Sequence, residues 1–77
     1  MQERPYYYLI CWIWDGKEYD RRKLYCSESL DDVVKAYDKV RIDADHFTQA
    51  EVWHDNLFEN TRLRLKNEAG EYAPDEM

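Results

Sequence analysis

Tyr6-Tyr7-Tyr8-Leu9-Ile10-Cys11-Trp12-Ile13-Trp14 decides the fold. It runs nine residues without a charge, a glycine or a proline in a chain that is 36% charged. Aromatic and β-branched side chains fit a pleated surface packed on both sides. With a period of two, Tyr7, Leu9, Cys11 and Ile13 share one face, and Tyr6, Tyr8, Ile10, Trp12 and Trp14 share the other. A strand apolar on both faces belongs in the middle of a sheet. Asp15-Gly16 follows at once and predicts a two-residue type I′ hairpin, whose central residues both need positive φ. Lys17 to Tyr25 then returns antiparallel as a charged edge strand, and its charges discourage another chain from adding to it. Pairing outward from this turn sets Trp12 opposite Tyr19, Ile10 opposite Arg21, Tyr8 opposite Lys23 and Tyr6 opposite Tyr25.

Ser29 opens a helix. Its hydroxyl is placed to cap, Asp32 stands three residues on, and Asp31 and Asp32 suit the positive end of the helix dipole. Leu30, Val33, Val34, Tyr37 and Val40 form one apolar stripe centred on Val34, with Arg41 in the last turn. An acidic connector, Asp43 to His46, leads to a second alternating strand, Gln49 to Asp55. There Ala50, Val52 and His54 point one way, and Glu51, Trp53 and Asp55 the other. A turn at residues 56–60 precedes Thr61 to Lys66, where Leu63 and Leu65 alternate with Arg62, Arg64 and Lys66. Residues 67–77 contain Gly70 and Pro74 and read as a flexible acidic tail.

The expected fold is therefore α+β, a single ββαββ domain over residues 1–66. A right-handed crossover places the third strand beside the first, giving a four-stranded antiparallel sheet of order 2-1-3-4 with one helix on one face. The helix should lie on Leu9, Cys11, Ile13, Leu24, Val52, Leu63 and Leu65.

The 77-residue chain can support one small core. Its net charge of −6 opposes binding to nucleic acid or anionic membranes by bulk charge alone. Cys11 and Cys26 are the only cysteines. In the hairpin register above Cys11 faces Asp20 and Cys26 lies beyond the paired segment, so two free thiols are expected rather than a disulfide. Met1 to Pro5 runs straight into tyrosines, with no signal peptide and no apolar run of membrane-spanning length, which points to the cytoplasm.

The second sheet face has no further layer to cover it. It should carry Tyr6, Tyr8, Trp12, Trp14, Tyr19, Tyr25 and Trp53, interleaved with Arg21, Lys23, Arg62, Arg64 and Lys66. Three readings follow. The cations can lie over the rings and cover the face themselves. The face can bind a protein, either a foreign partner or a second copy, because Trp, Tyr and Arg anchor interfaces. Or single-stranded nucleic acid can stack on it, a reading weakened by the net charge and by the lack of a glycine-rich aromatic RNA-binding motif.

Catalytic and metal-binding patterns are weak. His46 and His54 share no face. Asp43, Asp45 and His46 lack calcium-loop spacing, so neither metal nor cofactor is expected. Cys11 has no base near it in sequence. With glycine only at 16 and 70, no glycine-rich phosphate loop is available.

A short, acidic, aromatic-rich chain with a bare ββαββ layout resembles the small accessory proteins of phages and prophages, including anti-CRISPR and other anti-defence inhibitors. The resemblance lies in size, charge and layout. It implies a non-enzymatic protein that occludes a host defence protein. Such inhibitors often set acids where a nuclease expects phosphates, and Glu28, Asp31, Asp32, Asp38, Asp43 and Asp45 would form that surface, although Lys35, Lys39 and Arg41 are mixed among them. That acidic surface is the alternative; the first candidate for partner binding is the open aromatic face, with Tyr8, Trp12, Trp14, Tyr19, Arg21, Lys23, Trp53, Arg62 and Arg64. A nucleic-acid platform or a homodimerising structural protein are the other outcomes.

Overall fold

The computed structural model describes residues 6–43, 47–55 and 60–72. It is an α+β fold with strands β1 (Tyr6–Trp14) and β2 (Tyr19–Ser27), helix α1 (Leu30–Asp38), and strands β3 (Gln49–Asp55), β4 (Asn60–Asn67) and β5 (Gly70–Tyr72). All neighbouring strands pair antiparallel, in the order β2-β1-β3-β4-β5. The expected order 2-1-3-4 is present, with one strand added. Glu68 and Ala69 turn the chain between β4 and β5, and the Asn67 carboxamide oxygen accepts the Ala69 amide at 2.8 Å. Gly70 takes φ 139, which other residues rarely adopt. The segment expected to begin a tail thus returns along β4. Residues 73–77, like the connector at 44–46 that holds Asp45 and His46, lie outside the described residues.

The first hairpin differs from its expected form. Among the described residues only glycines have positive φ, so Asp15 cannot serve in a type I′ turn. Trp14 pairs with Tyr19, leaving a four-residue loop. The Asp15 carboxylate accepts the amides of Lys17 at 2.8 Å and Glu18 at 2.9 Å, and the Asp15 amide donates to the Glu18 carbonyl at 3.1 Å. This local side-chain turn replaces the backbone turn. The Glu18 and Lys17 amides also hold the Asp15 carboxyl below its ordinary range. Trp12 consequently faces Arg21, and Ile10 faces Lys23. The shift is by two residues, so these side chains keep their face. A bulge at Leu24 then moves the register by one and sets Tyr25 opposite Leu9, on the helix side rather than the sheet face.

A second bulge does the same in β4. Trp53 pairs with Arg62 but Val52 pairs with Arg64, so Leu63 is the extra residue. Arg64 and Lys66 are therefore on the helix side, and Leu65 faces Glu51 on the other; all three had been expected on the opposite faces. The reversal shows in their contacts, since Lys66 Nζ lies 4.6 Å from the ring centre of Tyr37 on α1 and Arg64 pairs with Glu71 at 3.8 Å. Leu63 stays with the core.

Ser29 caps α1, its hydroxyl accepting the Asp32 amide at 3.4 Å. The helix ends at Asp38, a turn earlier than the apolar spacing implies, with Lys39 as its C-cap. The core is Leu9, Cys11, Val33, Tyr37, Ala50 and Val52, flanked by Tyr7, Ala36, Val40, Ile42, Phe47 and Leu63. Val34 is only half-buried and Leu30 is exposed, so the helix rests on its Val33–Tyr37 line. Leu24, expected beneath the helix, is also exposed.

Cys11 faces Arg22 and Ala50 in the core, while Cys26 faces Tyr8 and is exposed; both are free thiols. Burial pushes the Cys11 thiol up to about 11. Below its ordinary value of 9.0 the thiol is neutral in both folded and unfolded chains, and its contribution to stability is complete. That contribution is withdrawn as the pH rises through about 11. Burial, and then the Glu71 carboxylate, push the Tyr37 phenol up as well, so the same sign applies to it. We expect Cys26 to react with a thiol reagent in the native protein and Cys11 only after unfolding, and we expect thermal midpoints to fall on the alkaline side of pH 9. A Cys11 that reacts as fast as Cys26 under native conditions would contradict its place beneath the helix.

Candidate functional site

The face of the sheet away from α1 is built by alternation along three strands. β1 presents Tyr6, Tyr8, Ile10, Trp12 and Trp14; β2 presents Tyr19, Arg21 and Lys23; β3 presents Gln49, Glu51, Trp53 and Asp55. Arg62 and Leu65 join them from β4. Of the residues expected there, Tyr6, Tyr8, Trp12, Trp14, Tyr19, Arg21, Lys23, Trp53 and Arg62 share the face, and Tyr25, Arg64 and Lys66 do not.

At its centre sits Glu51, only 3% exposed, between Ile10 and Leu65. One carboxylate oxygen, Oε2, accepts from Trp12 Nε1 at 2.7 Å and from Gln49 Nε2 at 2.6 Å. The other, Oε1, accepts from Trp53 Nε1 at 2.7 Å. Hydrogen bonds to an ionised acceptor are the strong kind, and these three donors pull the two indoles inward over the sheet. Trp12 and Trp53 thereby become half-buried, and Ile10 beneath them is wholly buried. Lys23 Nζ lies 4.5 Å from the Tyr8 ring centre, and Arg21 lies 5.9 Å from that of Trp12. Tyr8 is stacked with Trp53 at 6.4 Å, their planes 7° apart. Burial, then the Asp55 charge, raises the Tyr8 phenol.

The middle of this face is therefore a layer made of its own side chains. Glu51 was the residue missed by sequence reasoning. Its position two residues from Trp53 and Gln49 on one strand face was a usable signal, but Trp12 comes to it only through the pairing of β1 with β3.

The ends of the face are different. Trp14 is 49% exposed and Tyr19 57%, and their rings meet at 4.9 Å with a 58° tilt. Beside them Trp12, Tyr19, Thr48, Gln49, Asn67 and Glu68 line an open cleft. No family model, no curated protein and no solved structure matches this chain.

The remaining candidates do not assemble. His54 stacks on Tyr7 at 4.7 Å on the helix side, while Asp55 faces the other way, so the dipeptide is not a dyad. Cys11 is a buried neutral thiol. Among the described residues no three His, Cys, Asp or Glu side chains are grouped to hold a metal ion, and no helix is long and apolar enough to cross a membrane. Glu28, Asp31, Asp32 and Asp38 are exposed along α1 and its lead-in, interleaved with Lys35 and Lys39. Asp43 pairs with Arg41 at 3.4 Å, and Asp45 lies outside the described residues.

Proposed function

We propose that the chain is a non-catalytic protein-binding module that contacts its partner through the Trp14–Tyr19 end of the sheet face. The observation that carries this reading is the contrast within one face. Its central rings are held down by Glu51 and covered by Arg21 and Lys23, whereas Trp14 and Tyr19 stand half or more exposed beside the cleft. Tryptophan and tyrosine left in water at a rim are the residue types that anchor interfaces. The same contrast weighs against a nucleic-acid platform, because stacking needs free ring faces and those of Tyr8 and Trp12 already carry cations. The concrete role that we put forward is occlusion of a host defence protein by a small inhibitor of the phage accessory kind, acting in the bacterial cytoplasm without cofactor or metal.

Two measurements test it. A targeted phage plated on a host with an active CRISPR system should gain plating efficiency when the chain is expressed, and lose that gain with Trp14→Ala or Tyr19→Ala. In a lysate pull-down repeated after nuclease treatment, the parent should retain a protein that both variants lose, with thermal midpoints of the variants within a few degrees of the parent. Truncation of such an anchor costs about 2 kcal/mol or more in binding. Bound material lost on nuclease treatment would favour nucleic acid instead, and a parent that sediments as a dimer, with both variants monomeric, would make the partner a second copy.

A further inference from the structure

A second exposed apolar surface lies on the helix side, independent of the Trp14–Tyr19 end. The bulge at Leu24 turns Tyr25 toward α1, and the two residues remain 46% and 42% exposed in a strand that is otherwise mostly charged. With Leu9, Val40 and Phe47 they line a groove of about 490 Å³, and Lys39 and Arg41 stand at it. β2 is the edge of the sheet, so among the described residues the outer side of its backbone pairs with no strand. Approaching the groove, β2 carries Arg21 and Lys23 on one face, and Arg22 between them is paired with Asp20 at 2.6 Å.

We propose that β2 and this groove dock an extended acidic segment of a partner protein, added to the sheet as a sixth strand. Strand addition supplies main-chain hydrogen bonds, and alternate side chains supply specificity. Apolar residues of the added strand enter the groove over Leu24 and Tyr25. Its carboxylates on one face meet Arg21 and Lys23, and those at the groove end meet Lys39 and Arg41. Charge favours this occupant over a second copy, because Arg21 and Lys23 on β2 and Lys39 and Arg41 at the groove suit carboxylates, whereas a second β2 would bring Arg21 and Lys23 to the same edge.

The probe is a fluorescein-labelled peptide of alternating threonine and glutamate with one central isoleucine, followed by anisotropy. Its controls carry lysine for glutamate, or N-methyl groups on alternate amides. The acidic peptide should bind saturably, while the lysine peptide and the N-methylated peptide should not. Tyr25→Ser and the double variant Lys39→Glu, Arg41→Glu should each weaken binding by about tenfold or more. All three side chains are exposed, so circular dichroism should show the fold retained. Trp14→Ala should leave peptide binding unchanged, which separates this site from the one proposed above. No binding, equal binding of acidic and lysine peptides, full binding of the N-methylated peptide, or a parent that sediments as a dimer through β2 would each overturn the proposal.

Discussion

Val33→Asp is expected to abolish the cooperative thermal transition, whereas Val34→Asp, its neighbour, should lower the midpoint and leave the transition intact. Val33 is wholly buried among Leu9, Cys11, Tyr37, Ala50 and Val52. A carboxylate there is stripped of water in an apolar cluster, and the burial of the valine, about 1.5–3 kcal/mol, is lost in addition. A domain of this length has a total stability of roughly 4–12 kcal/mol, so a cost of about 4 kcal/mol or more removes most of it. Val34 is half-buried and outside the core cluster, and its replacement can turn toward water. Urea titrations of the two variants beside the parent read the difference. A Val33→Asp chain that melts cooperatively near the parent temperature would mean that α1 does not rest on the sheet through this line. The apolar stripe read from the sequence is centred on Val34. The rotation of the helix on the sheet moves the centre by one residue, and the expected severe effect moves with it.

The second large effect is expected at Glu51. Replacement by alanine should lower stability by about 2–4 kcal/mol, because it leaves the Trp12 and Trp53 indole N–H groups, and one Gln49 amide, without their shared acceptor. Both indoles should then swing toward water, shifting tryptophan emission to the red before any unfolding. Glu51→Gln should fall between parent and alanine. Its remaining oxygen still accepts, but its amide sets donor against donor at one of the indoles. As a comparison, Trp14→Ala removes an exposed ring and should change the melt little. A Glu51→Ala midpoint matching the parent, with emission unchanged, would show that the carboxylate does not organise the face.

Local chemistry determined much of this protein. Nine uninterrupted aromatic and aliphatic residues make β1 a central strand from Tyr6 to Trp14, and alternation from Gln49 to Asp55 makes β3 with the same faces that the fold uses. The Ser29 cap starts α1 where its hydroxyl meets the Asp32 amide. These features depend on residues close in the chain, and they carry the order β2-β1-β3-β4 with them. What tertiary structure decided was register. Asp15 closes a four-residue turn through its own carboxylate, which slides β2 by two residues, an even step that preserves every face. The bulges at Leu24 and Leu63 are odd steps, and each reverses the faces of all that follows. Thus Tyr25, Arg64 and Lys66 moved to the helix side and Leu65 moved away from it. No local pattern marks such a bulge, because its stability comes from partners far along the chain, Leu9 beside Tyr25 and Tyr37 beneath Lys66. The Glu51 network has the same origin. A carboxylate can be buried only where donors converge on it, and Trp12, 39 residues away, arrives there through sheet pairing alone.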